Sequence, residues 1–324
     1  MPSVELQRLA SDVERLFVLL RCERQAVTPD LVDHGAIPED AVGPNQDARR
    51  LGNQSRTERV RNERRGDARL LERHDEEAAF EERASFEDER AREWMTAETN
   101  AAIEAARTSG AGEIVVADSH GNGENLLLDR FPKDVTVVRS WPRPLSMMQG
   151  IDATFDGVIF LGYHSSTANP QGVRAHTISS ARFADLRLNG RSVSEAALGA
   201  AIAGQFGVPV IMISGDDAAV KEATEQLGNL EGAVVKWSLS YHSARTLTPD
   251  AACDLIREKV KRAIARIREF KPYRVQAPVT LDLRFKNYRP SEVLAYLPGV
   301  ERTDSHSIRF VGKDIVEVSK FIAF

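Results

Sequence analysis

The sequence predicts an α/β fold, with a mostly parallel central sheet flanked by helices and a smaller C-terminal α+β unit. Short apolar runs bounded by turn residues, such as Glu113–Ala117 and Val158–Leu161, are typical of buried strands. Stretches with helical spacing of apolar residues separate these runs, and the alternation of strands with helices favours a parallel sheet. After Pro272 the predicted order becomes strand, helix, hairpin and helix, which is typical of a small α+β unit.

The alternating elements begin at about residue 87. Apolar residues from Trp94 to Ala105 recur at helical spacing, and Gly110 is expected to end that helix. Asn189-Gly190 predicts the type I′ turn of a hairpin, and Ser194 is a suitable cap for the next helix. The other predicted elements are strands at Glu113–Ala117, Val135–Val138, Val158–Leu161, Val208–Ser214, Ala233–Trp237 and Val279–Phe285, hairpins at Phe183–Val193 and Val300–Val311, and helices from Glu195, from Asp216 to Leu227, from Pro249 to Phe270, from Ser291 to Leu297 and from Asp314 to Ala323.

The domain organisation follows from a change in composition near residue 85. Residues 1–85 carry dense mixed charge, as in Arg56–Arg65, and have few apolar positions. Such a segment buries too little apolar surface to offset its ordering entropy, so we expect it to be poorly ordered and to supply no central strand. Residues 86–271 are expected to form the α/β core, and residues 272–324 the small α+β unit.

Composition excludes several classes of partner. The net charge of −5 gives no electrostatic reason to bind nucleic acid or an anionic membrane. The apolar run Leu16–Leu20 is too short for a signal segment or a membrane span. Cys22 and Cys253 show no metal-ligand spacing and no disulfide framework, which favours a cytoplasmic location.

Histidines follow two of the predicted strands. His120 comes after the Glu113–Ala117 strand, and His164 comes after the Val158–Leu161 strand. Because open parallel sheets bind ligands at the carboxyl ends of their strands, both imidazoles are candidates for one metal or catalytic site, with His176 and Glu195 following in sequence. The alternative is structural: hydrogen-bonded histidines at loop starts, and a glutamate that is stabilised by the dipole of its helix.

Six short motifs, in order along the chain from about residue 87, resemble those of the M55 peptidases. They are Val116-Ala-Asp-Ser-His-Gly121, Arg143-Pro-Leu-Ser-Met-Met-Gln-Gly150, Phe160-Leu-Gly-Tyr-His164, Ala175-His-Thr177, Asn189-Gly-Arg-Ser-Val-Ser-Glu195 and Val210-Ile-Met-Ile-Ser-Gly-Asp-Asp217. The resemblance implies a zinc aminopeptidase that acts on short peptides with an N-terminal D-amino acid. It also implies a ring-shaped homo-oligomer, a decamer in the family.

The same resemblance assigns roles to individual residues. It places zinc ligands at His120, His164 and Glu195, and a catalytic histidine at His176. The family has two zinc ions per subunit, held in part by an Asp-x-Glu-Gly motif after its first apolar strand. In this chain that motif is expected near residues 60–70, where the sequence is instead Arg59-Val-Arg-Asn-Glu-Arg-Arg-Gly-Asp-Ala-Arg69.

The missing motif leaves two interpretations open. Either the N-terminal segment has been replaced, for example through a frameshift or a misassigned start, or the protein has lost its first metal ligands. The remaining ligands would then hold one zinc ion or none, and this chain would hydrolyse peptides weakly or not at all. The alternative function is a catalytically inactive family member that binds peptides or serves as an assembly subunit.

Overall fold

Two sheets form the framework of the protein in this computed structural model, which describes residues 16–22 and 89–323. All of these residues belong to one compact unit. The strands are β1 (Leu16–Cys22), β2 (Ala111–Asp118), β3 (Thr136–Val138), β4 (Gly157–Tyr163), β5 (Phe183–Leu188), β6 (Arg191–Ser192), β7 (Val210–Asp216), β8 (Glu231–Ser240), β9 (Ser243–Thr246), β10 (Val279–Phe285), β11 (Val300–Arg302) and β12 (Ser307–Gly312). The helices are α1 (residues 89–108), α2 (Glu195–Gln205), α3 (Asp217–Leu227), α4 (Pro249–Ala265), α5 (Tyr288–Leu294) and α6 (Ile315–Ala323).

The larger sheet has seven strands in the order β3-β2-β1-β4-β7-β8-β9. The pairs β2/β3, β4/β7 and β7/β8 are parallel, and β1 is antiparallel to both of its neighbours. Five of the seven strands therefore run in one direction, which confirms the predicted α/β fold with a mostly parallel sheet. The carboxyl ends of β2 and β4 lie at the same edge of the sheet.

Helices cover both faces of this sheet. Along β1, Leu19 packs in one apolar cluster with residues of α2, while Val18 and Leu20 pack in a second cluster with residues of α1 and α4. Because successive side chains of a strand point to opposite faces, this alternation assigns the two clusters to the two faces. The site described below therefore rests on a sheet that is buried on both sides.

The position of β1 corrects the expectation that residues 1–85 would supply no central strand. β1 lies between β2 and β4, and Val18, Leu19 and Leu20 are fully buried. The mixed charge is a property averaged over all 85 residues. It does not describe the short run Leu16–Leu20, whose apolar side chains suit a strand buried on both faces. The rest of that segment, including the stretch at 60–70, lies outside the described residues.

The second sheet crosses the domain boundary that was expected at residues 271–272. Its order is β11-β12-β10-β5-β6, so the β5–β6 hairpin pairs with β10, and Leu188 lies opposite Leu281. The hairpin turn has the predicted geometry, with φ of 48° at Asn189 and 81° at Gly190. The side chain of Asn189 also accepts a hydrogen bond from Thr280 N at 2.8 Å, which ties the turn to β10. The C-terminal elements therefore share a sheet with the hairpin that leads into α2.

Asp216, the last residue of β7, connects α3 to the loop that follows β4. One carboxylate oxygen accepts a hydrogen bond from Ala219 N at 2.7 Å and so caps α3, and the other accepts one from Val173 N at 3.2 Å. Burial raises the pKa of Asp216 to about 6, although both of these hydrogen bonds act in the opposite direction.

Within residues 16–22 and 89–323, no helix has the length and apolar character that crossing a membrane requires.

The central position of β1 predicts a large loss of stability on Leu19→Ala. Truncating a fully buried leucine typically costs about 2–5 kcal/mol of unfolding free energy, through lost burial and the cavity left behind. Leu239→Ala, at a leucine that is 70% exposed, is the matched control and should change the unfolding free energy by less than about 0.5 kcal/mol. Urea denaturation measures both. Equal changes in unfolding free energy for the two substitutions would contradict the placement of β1 in the core.

The raised pKa of Asp216 predicts a pH dependence of stability with a definite sign. Since the folded-state pKa is about 6 and the ordinary value is 3.8, the folded protein holds this proton more tightly between these pH values. The contribution of Asp216 to stability should therefore fall as pH rises through that window, by about 1–3 kcal/mol in total. Denaturation of the wild type and of Asp216→Asn from pH 4.5 to 7 measures this. The prediction is contradicted if the unfolding free energy of the wild type minus that of Asp216→Asn stays constant or increases as pH rises.

Candidate metal centre

The candidate site lies at the carboxyl ends of β2 and β4. His164 follows the last residue of β4 directly, and His120 comes two residues after β2 ends. His176 lies in the loop between β4 and β5, and Glu195 is the first residue of α2. All four side chains are buried, with exposed fractions of 8% or less. The strand-end argument from the sequence thus places its histidines at one edge of the sheet.

Three of the four residues form a tight cluster. One ligand atom each of His164, His176 and Glu195 lies within 4.8 Å of the other two. The two imidazole rings stack with centroids 3.9 Å apart and an interplanar angle of 19°, and His164 Nε2 lies 3.6 Å from Glu195 Oε2. His120 is not a member of this cluster; it lines a cavity together with His176.

Backbone carbonyls fix the tautomers of the two clustered histidines. His164 Nδ1 lies 3.1 Å from Ser165 O, and His176 Nδ1 lies 2.6 Å from Arg174 O. A carbonyl oxygen only accepts, so each Nδ1 carries the proton and donates it. In the neutral rings this leaves the lone pair on Nε2. Metal-binding histidines in proteins typically donate their second ring N–H in this way.

Glu195 is a fully buried carboxylate at the start of a helix. Ser194 caps α2 by accepting a hydrogen bond from Ala197 N, as the sequence predicted, and the N-terminal dipole of α2 favours negative charge at Glu195. One of its oxygens accepts a hydrogen bond from Ile178 N, two residues after His176. Glu195 therefore holds the His176 loop in place and is also a candidate ligand.

The loop that carries His176 is attached to several neighbouring elements. His176 N donates to Ser165 O at 3.1 Å, and Thr177 Oγ1 donates to Val193 O at 3.0 Å. Gly172 approaches Ser165 so closely that a Cβ atom there would lie 1.9 Å from Ser165 Oγ. These contacts place the imidazole of His176 against that of His164, and the sequence alone showed none of them.

The His120 loop is held by Arg143, a buried residue to which the sequence gave no role of its own. Arg143 Nη2 donates to Asp118 O at 2.6 Å, and Nη1 donates to Ser119 Oγ at 3.3 Å. Its guanidinium also lies over the ring of Trp141, 4.4 Å from the centroid. Burial lowers the pKa of Arg143 to about 10, against the opposing effect of Asp118, so it stays charged at neutral pH. A sequence signal that could have indicated this role is the position of Arg143 between Pro142 and Pro144, directly after Trp141.

A cavity of about 460 Å³ opens beside the histidines. His120 and His176 line it, together with apolar side chains that include Trp141, Met147 and Ile178. The C-terminal end of α6 contributes Ile322 and Ala323. Its volume lies in the range of small-molecule sites in proteins.

The donor set indicates the kind of group that this cluster would bind. Two imidazoles and one buried carboxyl group combine nitrogen and oxygen ligands in a small space. Zinc sites use these ligand types, with metal–ligand distances of about 2.0–2.2 Å. Because the ligand atoms already lie within 4.8 Å of one another, the residues fit a zinc ion.

Comparisons with known proteins identify the family of this chain. The model of the M55 peptidase family, described as D-aminopeptidase, matches residues 76–324. A D-aminopeptidase of Bacillus subtilis (strain 168) is 36% identical over 231 residues, which cover 71% of this chain and 83% of that protein. A solved structure described as the Zn-dependent D-aminopeptidase DppA from Bacillus subtilis, a self-compartmentalizing protease, has a TM-score of 0.69 and 34% identity, and covers 72% of this chain and 86% of that chain. The chain therefore belongs to the M55 peptidase family of D-aminopeptidases.

Proposed function

We propose that this protein is a zinc-dependent aminopeptidase that hydrolyses short peptides with an N-terminal D-amino acid. The observation that carries the proposal is the cluster of His164, His176 and Glu195 beside a cavity of small-molecule size. The family description and the names of both relatives support the substrate class. The relative described as self-compartmentalizing supports a homo-oligomer, which we propose to be the ring-shaped decamer of the family.

The zinc ligands in this proposal are His120, His164 and Glu195, with His176 as the catalytic group. Bound zinc would supply Lewis acidity toward the scissile carbonyl and toward water. His164 presents Nε2 to Glu195 at 3.6 Å, and its Nδ1–H is held by a carbonyl. Glu195 supplies the negative charge that a cation requires in a buried site.

His176 is suited to proton transfer. Its Nδ1–H is held by Arg174 O, which fixes the ring and leaves Nε2 as the basic atom. When water adds to the carbonyl carbon of the peptide bond, His176 Nε2 accepts a proton. It then returns that proton to the leaving nitrogen as the C–N bond breaks. His176 lines the cavity, which supports a position beside a bound substrate.

The stacking of His176 on His164 also favours a second arrangement. In it, His176 is a zinc ligand with His164 and Glu195, and His120 on the cavity wall transfers the proton. Both arrangements use the same four residues. They differ in whether His120→Ala or His176→Ala loses zinc, so a measurement of zinc content distinguishes them.

The sequence of β1 affects the level of peptide hydrolysis that we propose for this chain. It fills the position between β2 and β4, next to both strand ends that carry the site, and none of its residues Leu16–Cys22 is an aspartate or glutamate. The Asp-x-Glu ligands of the family are thus not supplied by the described part of the N-terminal segment. We therefore propose that this chain is impaired, with one zinc ion at most; an inactive peptide-binding or assembly subunit is the alternative.

A cytoplasmic location completes the proposal. Neither Cys22 nor Cys253 forms a disulfide, and Cys253 is buried within the described core. Free cysteines of this kind are typical of proteins in a reducing compartment.

Zinc analysis and peptide hydrolysis on the same preparations test this function. The wild-type chain should hydrolyse D-Ala-D-Ala weakly or not at all. A variant in which residues 1–75 are replaced by a family strand ending in Asp-x-Glu should gain zinc and hydrolyse the D-peptide but not L-Ala-L-Ala, because the added carboxylates balance the metal charge. Removing zinc with a chelator should abolish that activity. A zinc-loaded variant that cleaves neither peptide would favour the inactive alternative, and robust zinc-dependent cleavage by the wild type would show that other carboxylates complete the site.

Histidine substitutions in the active variant complete the same experiment. His176→Ala should abolish turnover while zinc content stays near normal, whereas His120→Ala and His164→Ala should lose zinc. His306→Ala, at a histidine of the β11–β12 connection, is the control and should keep both. Zinc loss in His176→Ala with retention in His120→Ala would assign the ligand role to His176 and the proton transfer to His120.

A further inference from the structure

We propose that Arg182 binds the α-carboxylate of the peptide, so that the site selects short peptides with a free C-terminus. This inference rests on the proposed aminopeptidase function and adds a specificity-determining residue to it. A short peptide carries two terminal charges. The carboxylate at its C-terminal end requires a cationic partner in the cavity, and a guanidinium is the group best matched to it.

Arg182 supplies a positive charge in the cavity that can pair with the peptide carboxylate. Among the described residues that line it, Arg182 is the only lysine or arginine, and none is an aspartate or glutamate. His176 lines the same cavity, six positions earlier in the chain. A peptide held at His176 therefore has a single guanidinium within its binding space.

The guanidinium is also available to a ligand. Arg182 is exposed, and no described carboxylate forms an ion pair with it. Its side-chain hydrogen bond, from Nε to Ser179 Oγ, is long at 3.5 Å. A guanidinium donates up to five hydrogen bonds in a planar fork that matches a carboxylate, so most of its capacity remains for a bidentate partner.

The backbone beneath Arg182 is anchored, so the side chain starts from a defined position. Arg182 N donates to Ser179 Oγ at 3.2 Å, and Lys286 N donates to Arg182 O at 2.9 Å. The side chain of Lys286 donates to Ser180 O at 2.6 Å. The segment is thus fixed to the end of β10, and the lysine that could have competed for the carboxylate is engaged with a backbone carbonyl.

Part of the cavity wall suits the apolar parts of a peptide, and four serines line the rest: Ser119, Ser146, Ser179 and Ser180. Trp141 and Met147 line it, and Ile322 and Ala323 at the end of α6 line it too. These side chains offer the substrate no charge. The serine hydroxyls are neutral, so the charge that complements the C-terminal carboxylate comes from Arg182, while the apolar residues contact the substrate side chains.

Paired substrates test the proposal directly. D-Ala-D-Ala and its C-terminal amide differ only in the carboxylate. Both are measured with the zinc-active variant described above, which is the parent, and with this parent carrying Arg182→Gln or Arg182→Lys. Arg182→Gln should raise KM for the free peptide roughly 10- to 100-fold, the loss expected for a charge-assisted hydrogen-bonded pair, and leave KM for the amide and both kcat values near those of the parent. Arg182→Lys should restore part of the loss. Arg191→Gln, at an exposed arginine of β6 outside the cavity, should change neither substrate.

A binding readout separates failure of this inference from failure of the proposed function. Calorimetric titration of the wild-type chain with the same two peptides requires no turnover, and the free peptide should bind more tightly than the amide only while Arg182 is present. Tighter binding of the free peptide without hydrolysis by any variant would support Arg182 and overturn the aminopeptidase. Equal effects of Arg182→Gln on both peptides, or no effect on either, would overturn the role of Arg182 whatever the activity.

Discussion

The structure around the candidate site depends on one buried carboxylate. Glu195 is fully withdrawn from water, and such a charge is stable only where donors and positive potential surround it. The start of α2 supplies the helix dipole, and Ile178 N donates a hydrogen bond to it. Because Ile178 lies two residues beyond His176, the same carboxylate fixes the loop that brings one histidine against the other. A cation bound beside Glu195 would compensate the charge that remains.

The edge of the sheet explains why these residues meet, and β1 fills the position between the two strands that carry the histidines. The ends of β2 and β4 carry His120 and His164, and the strand between them runs in the opposite direction. Its apolar residues complete both core faces, so the fold does not require a parallel strand there. The function proposed for this chain, by its resemblance to the family, would call for the carboxylates that such a strand would carry. Fold and chemistry thus place different demands on this one position.

Much of the fold could be predicted from local signals. Strand ends before His120 and His164, the Ser194 cap and the Asn189-Gly190 turn are each encoded by a few neighbouring residues. Features set by distant contacts, such as the pairing of β5 with β10, could not be predicted. One local signal was also missed. Helix α5 begins at Tyr288, before the predicted Ser291, because the Asn287 side chain caps it by accepting from Arg289 N and the first turn tolerates Pro290.

The candidate site shows the same division between local and distant signals. Its four residues were found from strand ends and from the family motifs, but the grouping of His176 with His164 depends on the path of a loop held by Ser165 and Glu195. Anomalous diffraction at the zinc edge from zinc-soaked crystals tests the central claim most directly. The account predicts a peak about 2.0–2.2 Å from His164 Nε2 and from a Glu195 carboxylate oxygen. A zinc peak away from both residues, in crystals that take up the metal, would contradict it.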